Sequence, residues 1–271
     1  MLDKAPNVLP HRKKHAAGLA WTIPVLGAVL TLFFAASAYA FDFSEWDAML
    51  KKYVAPKTIS GIRVHAVDYR QIKQDEQFDR LLDRLKTFKS SRLQTRDDKL
   101  SFWINVYNIM AVKMIRDHYP VKSIKDLGGL FRSVWKIPVG FVGGKELTLH
   151  EIEHEILRRM GEPRIHAAIV CASVSCPDLR EEAYVPARLH FQLDDQMSKF
   201  LQRPAKGLRI EREKGRVYLS SIFKWFDEDF ESRGGTLSFI ADYLAPQDRT
   251  ILQAQNMKID YMDYNWNLNE L

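Results

Sequence analysis

Apolar residues spaced three or four positions apart predict helices over much of the chain. The clearest stretches are residues 78–88 and a longer one over 100–118, which Asp97 and Asp98 open and Pro120 ends. The middle of the longer stretch is apolar on nearly every side, so we expect that helix to be buried. Further helices are predicted at 44–53, 152–160, 187–201, 221–230 and 237–244, the first two opened by capping boxes at Ser44 and Thr148.

Strands are predicted where apolar residues alternate or form a short continuous run. Residues 62–69 alternate, and the run 165–171 is apolar apart from one histidine, which is typical of a buried strand. Other strands are predicted at 134–139, at 145–148, on both sides of the Lys214-Gly215 turn, and at 259–264. Helices and strands are mixed without regular alternation or an internal repeat. This order predicts one α+β domain over 41–271, with a mainly antiparallel sheet packed with helices.

The first forty residues have the pattern of an export signal. A basic cluster at 11–14 precedes an uncharged apolar run over 16–36, and small residues end in Ala38-Tyr39-Ala40. These are the three regions of a secretory signal peptide, and we expect cleavage after Ala40. An uncleaved membrane anchor is the alternative, because the run approaches the roughly 20 residues that span a bilayer. In either case, residues 41–271 are expected to be periplasmic or secreted.

Composition and charge exclude several classes of protein. With 46% hydrophobic and 27% charged residues, the chain is neither disordered nor fibrous. The net charge is +6, but residues 41–271 hold 36 basic against 33 acidic residues, which gives no reason to expect a nucleic-acid partner. A membrane partner is expected only if the N-terminal segment is retained. The chain has no glycine-rich phosphate-binding motif, so no nucleotide cofactor is expected.

Residues 164–177 concentrate groups that suit nucleophilic catalysis. His166 lies ten positions before Cys176, and small residues between them suit a tight loop with exposed backbone amides. An imidazole that activates a thiol there would make Cys176 the nucleophile and His166 its base. Cys171 would then be a resolving or packing thiol. The alternative is a core histidine beside a structural Cys171–Cys176 disulfide, which an exported domain could form.

A second pattern lies on the predicted helix that follows Thr148. The stretch His150-Glu151-Ile152-Glu153-His154 matches H-E-x-x-H, in which the two histidines would hold zinc and Glu151 would act as the base. The chain lacks the glycine and the third histidine of the extended motif, so no metal is expected in the leading interpretation.

Two asparagines lie one turn apart on the long apolar helix. Asn105 and Asn108 need hydrogen-bond partners in so apolar a setting. One role for these amides is to anchor loop carbonyls, and the other is to orient His166, as asparagine or aspartate does in Cys-His sites.

Several motifs, taken in order, resemble the DUF547 family. They are Phe102–Asn108, Leu149–Arg158, Arg164–Pro177, Tyr218–Phe226 with Asp229-Phe230, and Ile259–Leu268. The family name records an unknown function, so the resemblance implies no activity. Its middle helix carries Ile-Glu-His without a required histidine upstream, which implies that Glu153 and His154 matter more than His150. A looser similarity to the transglutaminase/papain-like plan would place Asn105 where that plan has its nucleophilic cysteine.

Taken together, these patterns favour an exported thiol-dependent enzyme of the acyl-transfer or amide-hydrolase type. Cys176 is the expected nucleophile and His166 the base, with Asn105 or Glu153 orienting the imidazole. His154 and Cys171 complete the expected site, and no cofactor is expected. The expected substrate is an envelope peptide or small molecule. The alternatives are a non-catalytic envelope binding module with the disulfide, and a zinc hydrolase.

Overall fold

The computed structural model describes residues 41–129, 132–254 and 257–271, and the N-terminal signal pattern lies outside them. The α-helices in these residues are α1 Ser44–Tyr53, α2 Tyr69–Ile72, α3 Glu76–Thr87, α4 Arg96–His118, α5 Ile165–Ala168, α6 Leu189–Leu201, α7 Ile222–Trp225, α8 Thr236–Ala241 and α9 Pro246–Ala254. A π-helical segment, Glu151–Leu157, continues into a 3₁₀ turn over Arg158–Met160. No helix in the described ranges is long and apolar enough to cross a membrane.

The strands form small sheets. They are β1 Val54–Ile59, β2 Ile62–Val67, β3 Pro138–Val142, β4 Lys145–Thr148, β5 Leu208–Glu211, β6 Arg216–Leu219 and β7 Lys258–Tyr261. Two sheets are the antiparallel pairs β1–β2 and β3–β4, and a third has the order β5–β6–β7. Among these seven strands only β6 and β7 pair in parallel, and an isolated parallel bridge joins Val67 of β2 to Glu270. The predicted α+β class, with mainly antiparallel sheets packed with helices, is confirmed.

Helix α4 is buried within the larger apolar core. Thr95 caps it in a capping box with Asp98, in which each side chain accepts from the other residue's amide. From Leu100 to Ile115, side chains on nearly every side of the helix are buried, as its unbroken apolar pattern predicts. Each large apolar side chain contributes about 1.5–3 kcal/mol on burial. The polar side chains that α4 carries are therefore held in fixed positions.

A smaller apolar core joins the three-stranded sheet to the helices around it. Met197 and Phe200 of α6, Phe223 of α7 and Phe239 of α8 pack there with Val217 of β6. The hairpin between β5 and β6 turns at Gly215, whose φ of 58° is readily adopted by glycine, as the Lys214-Gly215 signal predicts.

The prediction of a strand over 165–171 is wrong, because the structure has the short helix α5 there, followed by an extended residue, Ile169. Asn108 of α4 explains the difference. Its Nδ2 donates to the Ala168 carbonyl at 3.0 Å, and its Oδ1 accepts from the Val170 amide at 3.0 Å. One side chain thus supplies hydrogen bonds that a neighbouring strand would otherwise supply. Asn108 therefore has the anchoring role.

Other differences from the predicted elements are local. Helix α1 begins at Ser44 without the expected capping box, since Phe43 is the N-cap residue and the Asp42 carboxylate accepts from the Ser44 amide. Residues 134–136 form a 3₁₀ turn before β3. The helix predicted over 221–230 ends at Trp225 and is followed by a 3₁₀ segment. Strand β1 and the helices α2 and α9 have no counterpart among the elements predicted from the hydrophobic pattern.

The C-terminal segment, residues 264–271, joins distant parts of the chain. Its backbone forms six hydrogen bonds, which connect it to Val67 of β2, to Lys122 and to residues 172–175. The Tyr69 hydroxyl also donates to Asn269 Oδ1 at 2.7 Å. This segment therefore fixes the loop that contains both cysteines.

Candidate active site

One pocket of about 410 Å³ brings together five of the six residues predicted for the site. Cys171, Cys176, His166, Glu153 and His154 all line it. A pocket of similar volume, about 430 Å³, lies beside Phe41 and Tyr184, but no cysteine or histidine is among its described lining residues. The first pocket is therefore the candidate site.

The sixth predicted residue, Asn105, lies elsewhere and does not contact His166. Its Nδ2 donates to the Tyr184 carbonyl at 2.8 Å, and its Oδ1 accepts from the Tyr184 amide at 3.0 Å. Both ends of the amide are thus used to anchor the segment before α6. The role of orienting the imidazole is filled by a different residue, Asp229.

The two thiols are in contact but are not bonded to each other. Their Sγ atoms lie 3.1 Å apart, and both cysteines are free. Cys176 is buried, whereas Cys171 is partly exposed on the pocket wall. Ala172 between them has a φ of 59°, a left-handed conformation that is unusual for alanine, and its carbonyl accepts from the Asn269 amide at 3.0 Å. The C-terminal segment thus holds the loop in this conformation.

The surroundings of the two thiols make Cys171 the more acidic. Its sulfur lies 2.9 Å from Ser173 Oγ and 3.3 Å from the Tyr264 hydroxyl. Hydrogen bonds from Cys176, Ser173 and Tyr264 stabilise its thiolate, which lowers the pKa of Cys171 to about 7 despite burial. Burial raises the pKa of Cys176 well above its ordinary value, and the adjacent Cys171 sulfur adds to the increase.

A charged network on one side of the pocket fixes both imidazoles. His166 Nε2 lies 2.7 Å from Asp229 Oδ2, and Arg158 forms a bidentate pair with the same carboxylate. Arg158 also donates to His154 Nδ1 at 3.0 Å. Arginine only donates and a carboxylate only accepts, so neutral His154 carries its proton on Nε2, and neutral His166 keeps a lone pair on Nδ1. Among the described residues, no hydrogen bond joins either thiol to an imidazole.

The same network explains the pKa values around it. Burial lowers the pKa of His154 to about 4, and the charges of His150 and Arg158 act in the same direction. Burial also lowers the pKa of His166, although Asp229 opposes this change. Burial works against ionisation of Asp229, but hydrogen bonds from His166 and Arg158 hold the pKa of this carboxyl well below its usual range. Both histidines are therefore neutral near pH 7.

Glu153 contributes a carboxyl group poised near neutrality. It is buried, and the Tyr107 hydroxyl of α4 donates to its Oε2 at 3.2 Å. Burial raises the pKa of Glu153 to about 7, against the lowering effect of that hydrogen bond. A group with such a pKa can both give and take a proton at neutral pH.

The H-E-x-x-H stretch does not form a metal centre in the part of the chain that the structure describes. The His150 and His154 rings pack with centroids 4.4 Å apart, and Arg158 occupies His154 Nδ1. Glu151 accepts from the Thr148 amide at 2.9 Å, which completes the predicted capping box at Thr148. Within the described ranges, no group of three or more His, Cys, Asp or Glu residues could hold a metal ion.

Aromatic side chains form the other wall of the pocket. Tyr264 lies 4.4 Å from Trp266 and 4.8 Å from Trp225, measured between ring centroids, and Trp135 packs edge-on against Trp266. His166 stacks on Phe226 with a centroid distance of 4.1 Å. The pocket therefore combines an apolar aromatic wall with a polar side that carries the thiol, the carboxyl group and both imidazoles.

The model of the family described as "Protein of unknown function, DUF547" matches residues 90–201. The resemblance to DUF547 is confirmed. The matched range runs from before α4 to the end of α6, so it contains both thiols, Glu153, His154 and His166. The similar motifs at 218–230 and 259–268 lie outside the matched range. No curated protein and no solved structure matches the chain.

Several residues that complete the site were not predicted from the sequence. Asp229 and Arg158 lie 71 positions apart, and Tyr264 lies 93 positions after Cys171. The family resemblance includes Asp229, but Asp229 lies in an acidic stretch typical of a solvated surface, and nothing near it in the sequence indicates that it contacts Arg158 and His166. The aromatic content of residues 261–266 offered one signal, since three large aromatic residues this close together, Tyr261, Tyr264 and Trp266, indicate a packed segment.

Proposed function

We propose that this protein is a thiol-dependent enzyme of the acyl-transfer or amide-hydrolase type, with Cys171 rather than Cys176 as the nucleophile. The observation that carries the proposal is the position of Cys171, a partly exposed residue that lines the pocket and whose sulfur contacts three groups that stabilise its thiolate. A thiolate at neutral pH needs no separate base to remove its proton. The absence of a thiol–imidazole hydrogen bond among the described residues is therefore compatible with catalysis.

The other groups of the pocket suit the remaining steps of acyl transfer. The Cys171 thiolate attacks the acyl carbon, and Glu153, protonated about half of the time near pH 7, gives its proton to the leaving group. Water then attacks the thioester and loses a proton to the Glu153 carboxylate, which restores the acid and releases Cys171 as thiolate. His154 Nε2–H is a suitable donor for the carbonyl oxygen, and His166 Nδ1 is a suitable acceptor for the attacking water.

Export and an envelope substrate belong to the same proposal. They are supported by the signal pattern in residues 1–40, and the aromatic wall supports a substrate with an apolar or planar part next to its acyl group.

The experiment is acylation of the purified protein with an activated ester, p-nitrophenyl acetate, read by intact mass and peptide mapping. We expect a thioester on Cys171 in the wild type and its loss in Cys171→Ser, while Cys176→Ser still forms it. Glu153→Gln should accumulate the acyl-enzyme, because deacylation slows by about a hundredfold. Acylation that persists on the same peptide after Cys171→Ser, or that is confined to Cys176, would exclude the assignment.

A further inference from the structure

The loop that carries the two cysteines holds their sulfurs close to bonding distance. The Sγ atoms are 3.1 Å apart, and a disulfide bond of about 2.05 Å needs an approach of about 1 Å. Contacts outside the thiols hold this geometry. Lys206 Nζ donates to the Cys176 carbonyl at 2.8 Å, and the Val174 amide donates to the Asn267 carbonyl at 2.9 Å. The reduced loop therefore already has nearly the conformation that a Cys171–Cys176 disulfide needs.

The two thiols differ in exposure and in acidity, as stepwise thiol–disulfide exchange requires. Both cysteines line the pocket, and Cys171 is the more exposed of the two, so we expect a disulfide that enters the pocket to react there first. Cys176 is buried, and its sulfur accepts from the Cys171 amide at 2.9 Å. The accessible thiol has the more stable thiolate and the buried one keeps its proton, which makes the first an attacking and the second a resolving thiol.

We propose that Cys171 and Cys176 form a reversible dithiol–disulfide couple that exchanges with small disulfides. Cys171 first ionises and releases its proton to water; its thiolate attacks one sulfur of R–S–S–R, an S–S bond forms between Cys171 and that sulfur, and R–S⁻ leaves and takes up a proton from water in place of the one that Cys171 released. Cys176 then attacks the Cys171 sulfur, and the second R–S⁻ leaves with the proton that Cys176 gives up. The protein loses two hydrogens and becomes the disulfide, while the external disulfide is reduced to two molecules of R–SH.

The exchange shares Cys171 with the acyl transfer proposed above but does not depend on it. Oxidation would remove the only thiolate that acylation uses, so the couple also gives the site an on–off dependence on redox conditions. A permanent structural disulfide and a pair of inert buried thiols are the competing descriptions of this loop, and both predict that neither thiol exchanges in the folded protein.

The test uses oxidised glutathione as the probe on reduced full-length protein, with alkylation of the remaining thiols and intact mass as the readout. We expect both thiols of the wild type to become resistant to alkylation and its intact mass to fall by the mass of two hydrogens. Dithiothreitol should restore both thiols and the original mass. Cys176→Ser should stop at a mixed disulfide between Cys171 and glutathione. Cys171→Ser should react at least about tenfold more slowly than the wild type.

Two controls separate this proposal from folding defects and from the acyl chemistry. Each variant is unfolded in urea to show that its thiols are chemically intact, and Cys171→Ala repeats the test with a different side chain. Folded wild type that keeps both thiols alkylatable, or that accumulates the mixed disulfide as Cys176→Ser does, overturns the couple. Acylation by the activated ester is measured on the same reduced samples, so either proposal can fail while the other stands.

Discussion

Glu153 is a carboxyl group that the fold keeps out of water, and this has a measurable effect on stability. An unfolded chain ionises such a group near pH 4.5, whereas burial raises the pKa of Glu153 to about 7 in the folded protein. Between these two values the unfolded state holds fewer protons at this position, so the folded state loses stability as the pH rises. The loss is absent below about pH 4.5 and complete above about pH 7.

Glu153→Gln should remove this pH-dependent term. We expect the free energy of unfolding of the variant, relative to the wild type, to increase by about 3 kcal/mol between pH 4.5 and pH 8. Urea denaturation at a series of pH values measures the difference, in which the titrations of the histidines largely cancel.

A matched control lies on the exposed side of the same helical segment. Glu155→Gln makes the same chemical change at an exposed carboxylate that is paired with Arg159, so it should not reproduce the increase of about 3 kcal/mol expected for Glu153→Gln. Parallel profiles for Glu153→Gln and the wild type would contradict the description of Glu153 as a buried acid.

At the scale of elements, local signals allowed most helices to be predicted. The helical spacing of apolar residues and the acidic residues at its start predicted α4, and the same spacing predicted α3 and α6. Residues 165–171 were predicted to be buried, but their conformation depends on Asn108, which lies about sixty positions earlier. A buried strand and a short buried helix are both compatible with this apolar run, and the contact with Asn108 is needed to decide between them.

The candidate site was also predictable only where its residues are close together in the sequence. Cys171, Cys176 and His166 are close in sequence, so a strand or helix followed by a loop was enough to place them near one another. Asp229 and Tyr264 reach the site only through the packing of the smaller core and the C-terminal segment. The choice between the two thiols depends on these partners, and so it could not be made from the sequence.

Replacing Asn108 should weaken the segment that leads into residues 171–176, the loop that contains both cysteines and is called the thiol loop below. Asn108→Ala leaves the Ala168 carbonyl and the Val170 amide buried without their partners, and we expect a loss of about 3 kcal/mol in the free energy of unfolding. Asn267→Ala is the control, because that side chain is exposed and its change should stay within about 0.5 kcal/mol. Equal losses for the two variants would show that the amide of Asn108 does not anchor this segment.

At the scale of the whole molecule, the C-terminal segment connects the hairpin β1–β2, the thiol loop and the aromatic wall. Its six backbone hydrogen bonds are each worth about 1 kcal/mol, and a domain is typically stable by only about 5–15 kcal/mol. Removing it also uncovers the side of the loop on which Ala172 is held in its left-handed conformation.

Truncation after Asp263 should therefore abolish cooperative unfolding or lower its midpoint strongly. Thermal denaturation followed by near-ultraviolet circular dichroism measures this, with full-length Trp266→Ala as the control that keeps the backbone contacts. The control should unfold cooperatively. A truncated protein as stable as the control would show that the segment is not needed for the fold.

The contact between the Tyr264 hydroxyl and the Cys171 sulfur gives this protein a built-in optical reporter. Tyr264 packs against Trp225 and Trp266, so a group that becomes attached to Cys171 must disturb the environment of two indole rings. Intrinsic tryptophan emission should consequently change when the sulfur is alkylated, acylated or oxidised. Collections of unlabelled compounds can thus be screened for those that react at this atom before any natural substrate has been identified.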